Sequence, residues 1–313
     1  MKGLTLSFGL AVLACLPMLG VAQDTPADLA SDPITYTFAT VNYPTDVFTQ
    51  LLGINDTGTI AGYHGSGLTG HPNNGFILEL PSTFTPENFP SAVQTQVIGI
   101  NSNGSTAGFY IDTKGANHGF LRHGSLSVKV DFPGTTSVPK FNQLLGLNAQ
   151  AQSAGFYNDA VGNSHGYIYA ALGGVFSVFT IPGATTATAT GVNETGQVCG
   201  FYTDTAKVMH GFLLNLGHFT MLNFPGATGT QAFGLNNQGQ VVGSYTDIAG
   251  MTHGFLWTSG IGFQGPIDDS SSGGPDATII NGINDGAVIV GFYGTCVSAP
   301  VGATTCNGFV AFP

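Results

Sequence analysis

Gly234-Leu235-Asn236-Asn237-Gln238-Gly239-Gln240-Val241-Val242-Gly243-Ser244-Tyr245-Thr246, followed by His253-Gly254-Phe255, decides the fold. Two runs with strand-like alternation flank an Asn-Asn-Gln-Gly turn, so Thr230 to Leu235 and Gln240 to Thr246 form a hairpin. The Asn side chain bonds back to its local backbone, and Gly239 supplies a positive φ. His253 to Thr258 reads as a third strand and the region around Phe263 as a fourth. The fourth is clearer one copy earlier, as His218 to Phe224 running into Phe224-Pro225-Gly226.

The unit recurs. Gly-x-Asn begins at Gly53, Gly99, Gly146, Gly191, Gly234 and Gly282, at spacings of 46, 47, 45, 43 and 48 residues. Seven residues after each Asn stands a second glycine: Gly62, Gly108, Gly155, Gly200, Gly243 and Gly291. His-Gly-Phe or a close variant follows at His118, His165, His210 and His253, with Asn74 and Asn307 replacing His in the end copies. The turn glycine is absent from the third copy, where Ala151 stands, and comes one place early in the sixth, at Gly286. No stretch after the N-terminal segment keeps a helical period.

Four short strands every 43 to 48 residues match the blades of a β-propeller. The sixth copy ends at Phe309-Val310-Ala311-Phe312-Pro313 without a fourth strand. A spare one stands near the start, where Tyr36-Thr37-Phe38-Ala39-Thr40-Val41-Asn42-Tyr43-Pro44 parallels Phe219 to Pro225. The expectation is an all-β, six-bladed propeller over residues 34–313, closed by the N-terminal strand completing the last blade. A β-solenoid is the rival, but its coils are shorter and need caps that are not seen.

This G-x-N-x-x-G-x-x-x-G … H-G-F pattern resembles the HAF-type repeats of bacterial extracellular proteins from about Ile34 to Pro313, with His-Gly-Phe where that name implies His-Ala-Phe. The resemblance implies an extracellular repeat protein and brings no activity with it.

Composition narrows the function. Only 7% of the 313 residues are charged, 47 are glycine, and the formal net charge is −11. An acidic chain this poor in Lys and Arg is unsuited to nucleic acid or to anionic lipid. Residues 1–22 read as a signal peptide: Met1-Lys2, an apolar run from Leu4 to Leu19, then Gly20-Val21-Ala22. Residues 23–33 read as a short linker, and no later segment is apolar enough to span a membrane. A second reading makes Cys15 a lipidated residue. Export permits a disulfide between Cys296 and Cys306, while Cys199 reads as a small buried residue. A closed ring needs no partner strand, so a monomer is expected, with no cofactor.

With strand a lining the channel, the b–c and d–a loops share one face. There Asp112 and His118, Asp159 and His165, Asp204 and His210, and Asp247 and His253 are each six apart. Two residues before each Asp stands Tyr110, Tyr157, Tyr202 or Tyr245, with Tyr293 continuing the series and His64 in the first copy. One reading is a sugar-binding rim of stacked Tyr with Asp and His hydroxyl partners. The other is structural: Asp holds its own His or its loop backbone, and Tyr packs against a neighbouring blade. Asp268, Asp269 and Asp276 form a calcium candidate.

Gly162-Asn163-Ser164-His165-Gly166 matches a nucleophile elbow, but here it is one copy of a hairpin with no helix after it. The acceptor-like Asn55-Asp56-Thr57, Asn103-Gly104-Ser105 and Asn193-Glu194-Thr195 belong to the a–b turns. The leading functional expectation is an exported, non-enzymatic binding or scaffold protein whose partner is a glycan or an envelope protein. The alternative is a polysaccharide- or glycoside-acting lyase or hydrolase, which should break the symmetry of the blades. His64, His71, His123 and Lys140 are the candidates for such breaks.

Overall fold

The computed structural model describes residues 22–23, 34–68, 72–269, 277–298 and 305–313. The signal-peptide and Cys15 readings, His71 and Asp276 lie outside them, apart from Ala22.

Six four-stranded antiparallel sheets make a six-bladed β-propeller. The first strands, a, are Phe48–Ile54, Gln94–Ile100, Asn142–Leu147, Ala184–Val192, Gly229–Leu235 and Thr278–Ile283. Blade five continues with Gln240–Thr246, Thr252–Thr258 and Gly262–Ile267 as strands b, c and d. In blade six, Ile289–Tyr293 and Asn307–Phe312 are b and c, and the fourth strand is Thr37–Thr40 from the other end of the chain. Thr37 pairs with Phe312 and Thr40 with Phe309, so the ring closes by the expected exchange. The Ala22–Gln23 backbone runs parallel to Thr220 and Met221 at the outer edge of blade four. A single turn of helix, Thr295–Ser298, departs from the all-strand expectation and sits beside the Cys296–Cys306 disulfide. Such bonds persist in oxidising compartments. Among the described residues no helix is long and apolar enough to cross a membrane.

The repeated glycines fit the blades together. Each Gly-x-Asn glycine sits at a register shift in strand a and touches the backbone of the next blade. A Cβ on Gly53 would lie 2.5 Å from the Ile98 carbonyl oxygen, and one on Gly282 would lie 2.7 Å from that of Leu52. The second glycine clears room for the ring of the His-Gly-Phe aromatic: a Cβ on Gly200 would meet Phe212 at 2.8 Å. Those rings are buried almost completely, with Phe76, Phe120, Tyr167, Phe212, Phe255 and Phe309 at most 1% exposed. Truncating one of them would cost about 3–5 kcal/mol.

Candidate functional site

Strand b ends in the same device on both faces. At the a–b turn, Asn55 Oδ1 accepts the backbone N–H groups of Thr57 and Thr59 at 3.2 and 2.9 Å. At the b–c turn, Asp112 Oδ1 accepts those of Lys114 and Ala116 at 2.8 and 2.9 Å. Asp159 and Asp247 repeat the latter, and Asp204 accepts from Val208.

The Asn amide also reaches sideways. Asn55 Nδ2 donates to the Asn101 carbonyl, Asn101 to Asn148, Asn148 to Asn193, Asn193 to Asn236, Asn236 to Asn284, and Asn284 back to Asn55, all at 2.9–3.2 Å. A closed ring of six side-chain bonds therefore ties the blades at the channel mouth. Asn55 and Asn193 are 6% and 4% exposed, so their acceptor-like sequence is a turn and ring signature.

On the opposite face the second carboxylate oxygen holds the His. Asp112 Oδ2 lies 3.3 Å from His118 Nε2, and the corresponding distances are 3.0 Å in blade three, 3.2 Å in blade four and 3.5 Å in blade five. The other ring nitrogen meets the end of strand d: Asp131 at 2.8 Å from His118, Asn223 at 2.9 Å from His210, and Asp268 at 2.7 Å from His253. His118, His210 and His253 thus staple the b–c turn to strand d of their own blades, while His165 is held by its turn Asp159. The His165 hydrogen bond and the loop amides hold the Asp159 carboxyl down at about 2. Asp112, Asp204 and Asp247 are lowered chiefly by their backbone N–H partners.

The Tyr rings are sandwiched. Tyr110 stacks on Phe89 at 3.9 Å and on His118 at 5.1 Å; Tyr157 stacks on Phe132 at 4.1 Å and on His165 at 5.1 Å. Tyr245 lies 3.6 Å from Phe224 and 5.2 Å from His253. In each case the covering Phe belongs to the Phe-Pro turn of the preceding d–a connection. In blade four Tyr202 keeps its His210 partner at 5.0 Å, with Ile181 at the matching turn position. Tyr110, Tyr202, Tyr245 and Tyr293 are only 7–8% exposed, and Tyr157 is half-buried. Burial raises the phenols of Tyr110, Tyr157, Tyr202 and Tyr245, the last to about 12. In blades two, three and five the aromatic faces expected to receive sugars are therefore occupied by Phe and His.

The symmetry-breaking candidates have local explanations. His64 takes the Tyr position, stacks on Tyr43 at 3.5 Å and meets Asp46 at 2.6 Å. His123 bonds Ser105 at 2.8 Å, and the Lys140 carbonyl accepts from Asn117. Asp268 serves His253 and the Gly254 amide, and the Asp269 amide donates to Thr278. No group of three metal-ligating side chains occurs among the described residues. Ser164 Oγ donates to Asn158 at 3.0 Å from within a strand, as the rejected elbow requires. Cys199 is unexposed, with its thiol pushed up to about 12 by burial.

Two cavities stand out, and of the residues expected to bind a ligand only His210 lines either of them. One, of ≈ 410 Å³, sits in the groove between blades four and five, lined by Met209, His210, Asn223, Phe224, Thr228 and Phe263 among others. The second, of ≈ 570 Å³, is the central channel. Its aromatic wall is Tyr63, Phe109, Phe156, Phe201 and Phe292, the residues directly after the second glycine. That regularity was visible in the sequence. Its meaning depends on strand b pointing alternate side chains inward.

Among solved structures the chain is similar to AofleA from Arthrobotrys oligospora, at 9% identity, 83% coverage of each chain and a TM-score of 0.53. It is also similar to the SapL1 lectin in complex with alpha methyl fucoside, at 9% identity, with 79% of this chain and 88% of that one covered and a TM-score of 0.52. At such identity the likeness is one of fold. No family model and no curated protein matches the chain.

Proposed function

We propose that this is an exported repeat protein of the HAF type that binds glycans without transforming them, through the groove between blades four and five. The observation that carries the reading is the ≈ 410 Å³ cavity there, where Phe224 and Phe263 stand beside His210, Asn223 and Thr228 with no Lys, Arg, Asp or Glu in the lining. Apolar ring faces beside uncharged hydrogen-bonding groups suit a sugar, which has apolar C–H faces and hydroxyl edges. The lectin with this fold, seen with alpha methyl fucoside, is a precedent for the scaffold rather than for the site.

Binding is preferred over catalysis because the His–Asp pairs recur from blade two to blade five with both partners engaged in holding a turn. A catalytic pair has to sit at one asymmetric place. The test is retention of the protein lacking residues 1–22 on a panel of soluble and insoluble polysaccharides, with and without calcium. Specific retention that Thr228→Tyr abolishes, without change in melting temperature, supports the groove. Retention on no polymer overturns the glycan reading, and calcium dependence would redirect it to Asp268 and Asp269.

A further inference from the structure

The six strands a line the central channel in stacked layers, and the layers are not six-fold alike. Nearest the b–c face, Gln50, Gln96, Gln143, Thr188 and Ile279 line the cavity. The next layer holds Leu52, Ile98, Leu145, Thr190, Phe233 and Asn281. The third holds Ile54, Ile100, Leu147, Val192, Leu235 and Ile283, and forms a floor. The same floor residues line a separate ≈ 90 Å³ recess on the far side, with the Asn ring and Asp56, Glu194 and Asp285. The channel is thus an apolar, aromatic-walled cup with a polar upper layer.

Its middle layer has sides. Blades one to three contribute Leu52, Ile98 and Leu145, whereas blades four and six contribute Thr190 and Asn281. The Thr190 hydroxyl is committed to the carbonyls of Ala232 and Cys199, at 3.0 and 3.2 Å. Asn281 Oδ1 is shielded from solvent and accepts no hydrogen bond. Gln96, one layer up, makes no side-chain hydrogen bond to a described residue either, while Gln50 and Gln143 are engaged with Tyr63 and Asn117. Blade five departs in a second way: Ser244 replaces the aromatic of strand b, and Phe233 of strand a stands in the channel edge-on to Phe201, at 5.9 Å between ring centres. No charged residue lines the cavity.

We infer that the channel is a binding site for an uncharged, ring-containing small molecule that carries a hydrogen-bond donor. Its rings lie against Phe109, Phe156, Phe201 and Phe292, and its donor meets the side-chain carbonyl of Gln96 in the layer above. The volume falls in the range of about 300–1,000 Å³ typical of small-molecule sites. Anions are disfavoured: the lining offers them no cation, and carboxylates stand behind the floor and along the b–c loops.

The probe is N-phenyl-1-naphthylamine, which is uncharged, has fused and single rings and carries one N–H donor. Its fluorescence should rise saturably to one equivalent per chain. 8-Anilinonaphthalene-1-sulfonate, the same rings with a sulfonate, should bind at least tenfold more weakly. Ile98→Trp and, independently, Leu145→Trp fill the cup and should abolish the signal. Circular dichroism and melting temperature identify whichever of the two remains folded. Gln96→Leu should weaken the amine probe about tenfold while leaving 1-phenylnaphthalene, which lacks the donor, unchanged. Absence of saturable binding to the folded wild type, or binding that survives a folded Trp variant, overturns the inference. Equal losses for both probes with Gln96→Leu overturn the assignment of the donor contact. Thr228→Tyr in the outer groove should not alter probe binding, so failure of the glycan reading and failure of this one are separable.

Discussion

Asp159 accepts two backbone amides of its own turn with one carboxylate oxygen and faces His165 with the other. All three contacts favour the ionised form, which is why its carboxyl sits at about 2. In the unfolded chain a free Asp titrates near about 3.9. Between those values the unfolded state binds the extra proton, so stability rises with pH through that window. The contribution is complete above about pH 4 and lost as pH falls towards 2. Asp112, Asp204 and Asp247 act in the same direction. Urea midpoints measured from pH 5 to pH 2 should fall on the acid side. Asp159→Asn should flatten that limb, and an unchanged limb would show that this carboxylate is not coupled to folding. A second residue-scale prediction concerns the a–b turns. Gly239 takes φ of 74° there, but the third and sixth copies place Ala151 at 57° and Ala287 at 56°. A left-handed Ala costs about 1–2 kcal/mol, partly offset by the freedom that glycine gains in the unfolded chain. Ala287→Gly should raise stability by about 0.5–1 kcal/mol in a urea titration, and Gly239→Ala should lower it by a similar amount.

At the scale of the element, the hairpin joining strands a and b does two things, and only one was legible. The reading of Asn236 to Gly239 as an Asn-led turn with a positive-φ glycine was local, because donor and acceptor lie within five residues. Strand b was read to its observed bounds, Gln240–Thr246, for the same reason. The sideways bond from each Asn amide to the next blade was not legible, since it joins residues 43 to 48 apart, or 229 at the closure. The covering of Tyr245 by Phe224 was hidden likewise: both residues were singled out, but which blade edge brings them together is a tertiary fact. Asn193→Ala would orphan the amides of Thr195 and Gln197 and leave the Asn236 carbonyl with only the Gly239 amide. At about 1 kcal/mol for each lost bond, the expected loss is about 2–3 kcal/mol. Asn103→Ala, a more exposed turn residue whose amide reaches only the Ala149 carbonyl, should cost well under half of that. Equal losses would mean that the ring adds nothing beyond the turn.

At the scale of the whole molecule, stability depends on a strand that joins the two ends of the chain. Phe38 packs against Phe309 with ring centres 5.1 Å apart, and Ile34, Tyr36 and Phe38 cover the core of blade six. Val41 and Tyr43 pack into blade one, and the Val41 amide donates to the Gly308 carbonyl. Removing residues 1–44 would strip those five side chains from two blades and leave the strand beginning at Asn307 as an open edge. Partial burial of that many large apolar groups is worth on the order of 5 kcal/mol. An unpaired hydrophobic edge also invites association. The truncated chain should therefore melt far lower than the intact one and show oligomers in size-exclusion chromatography. A permutant with residues 34–44 moved behind Pro313 on a flexible linker separates closure from chain order. The same pairs, Thr37 with Phe312 and Thr40 with Phe309, can form from either end because the strand only has to lie beside its partner. Recovery of a monomer melting within a few degrees of the intact protein would establish that the ring is held by the pairing itself. If the permutant behaves like the truncation, the N-terminal strand contributes through its covalent path into blade one, and the Asn ring and the interlocked glycines are left as the principal closure.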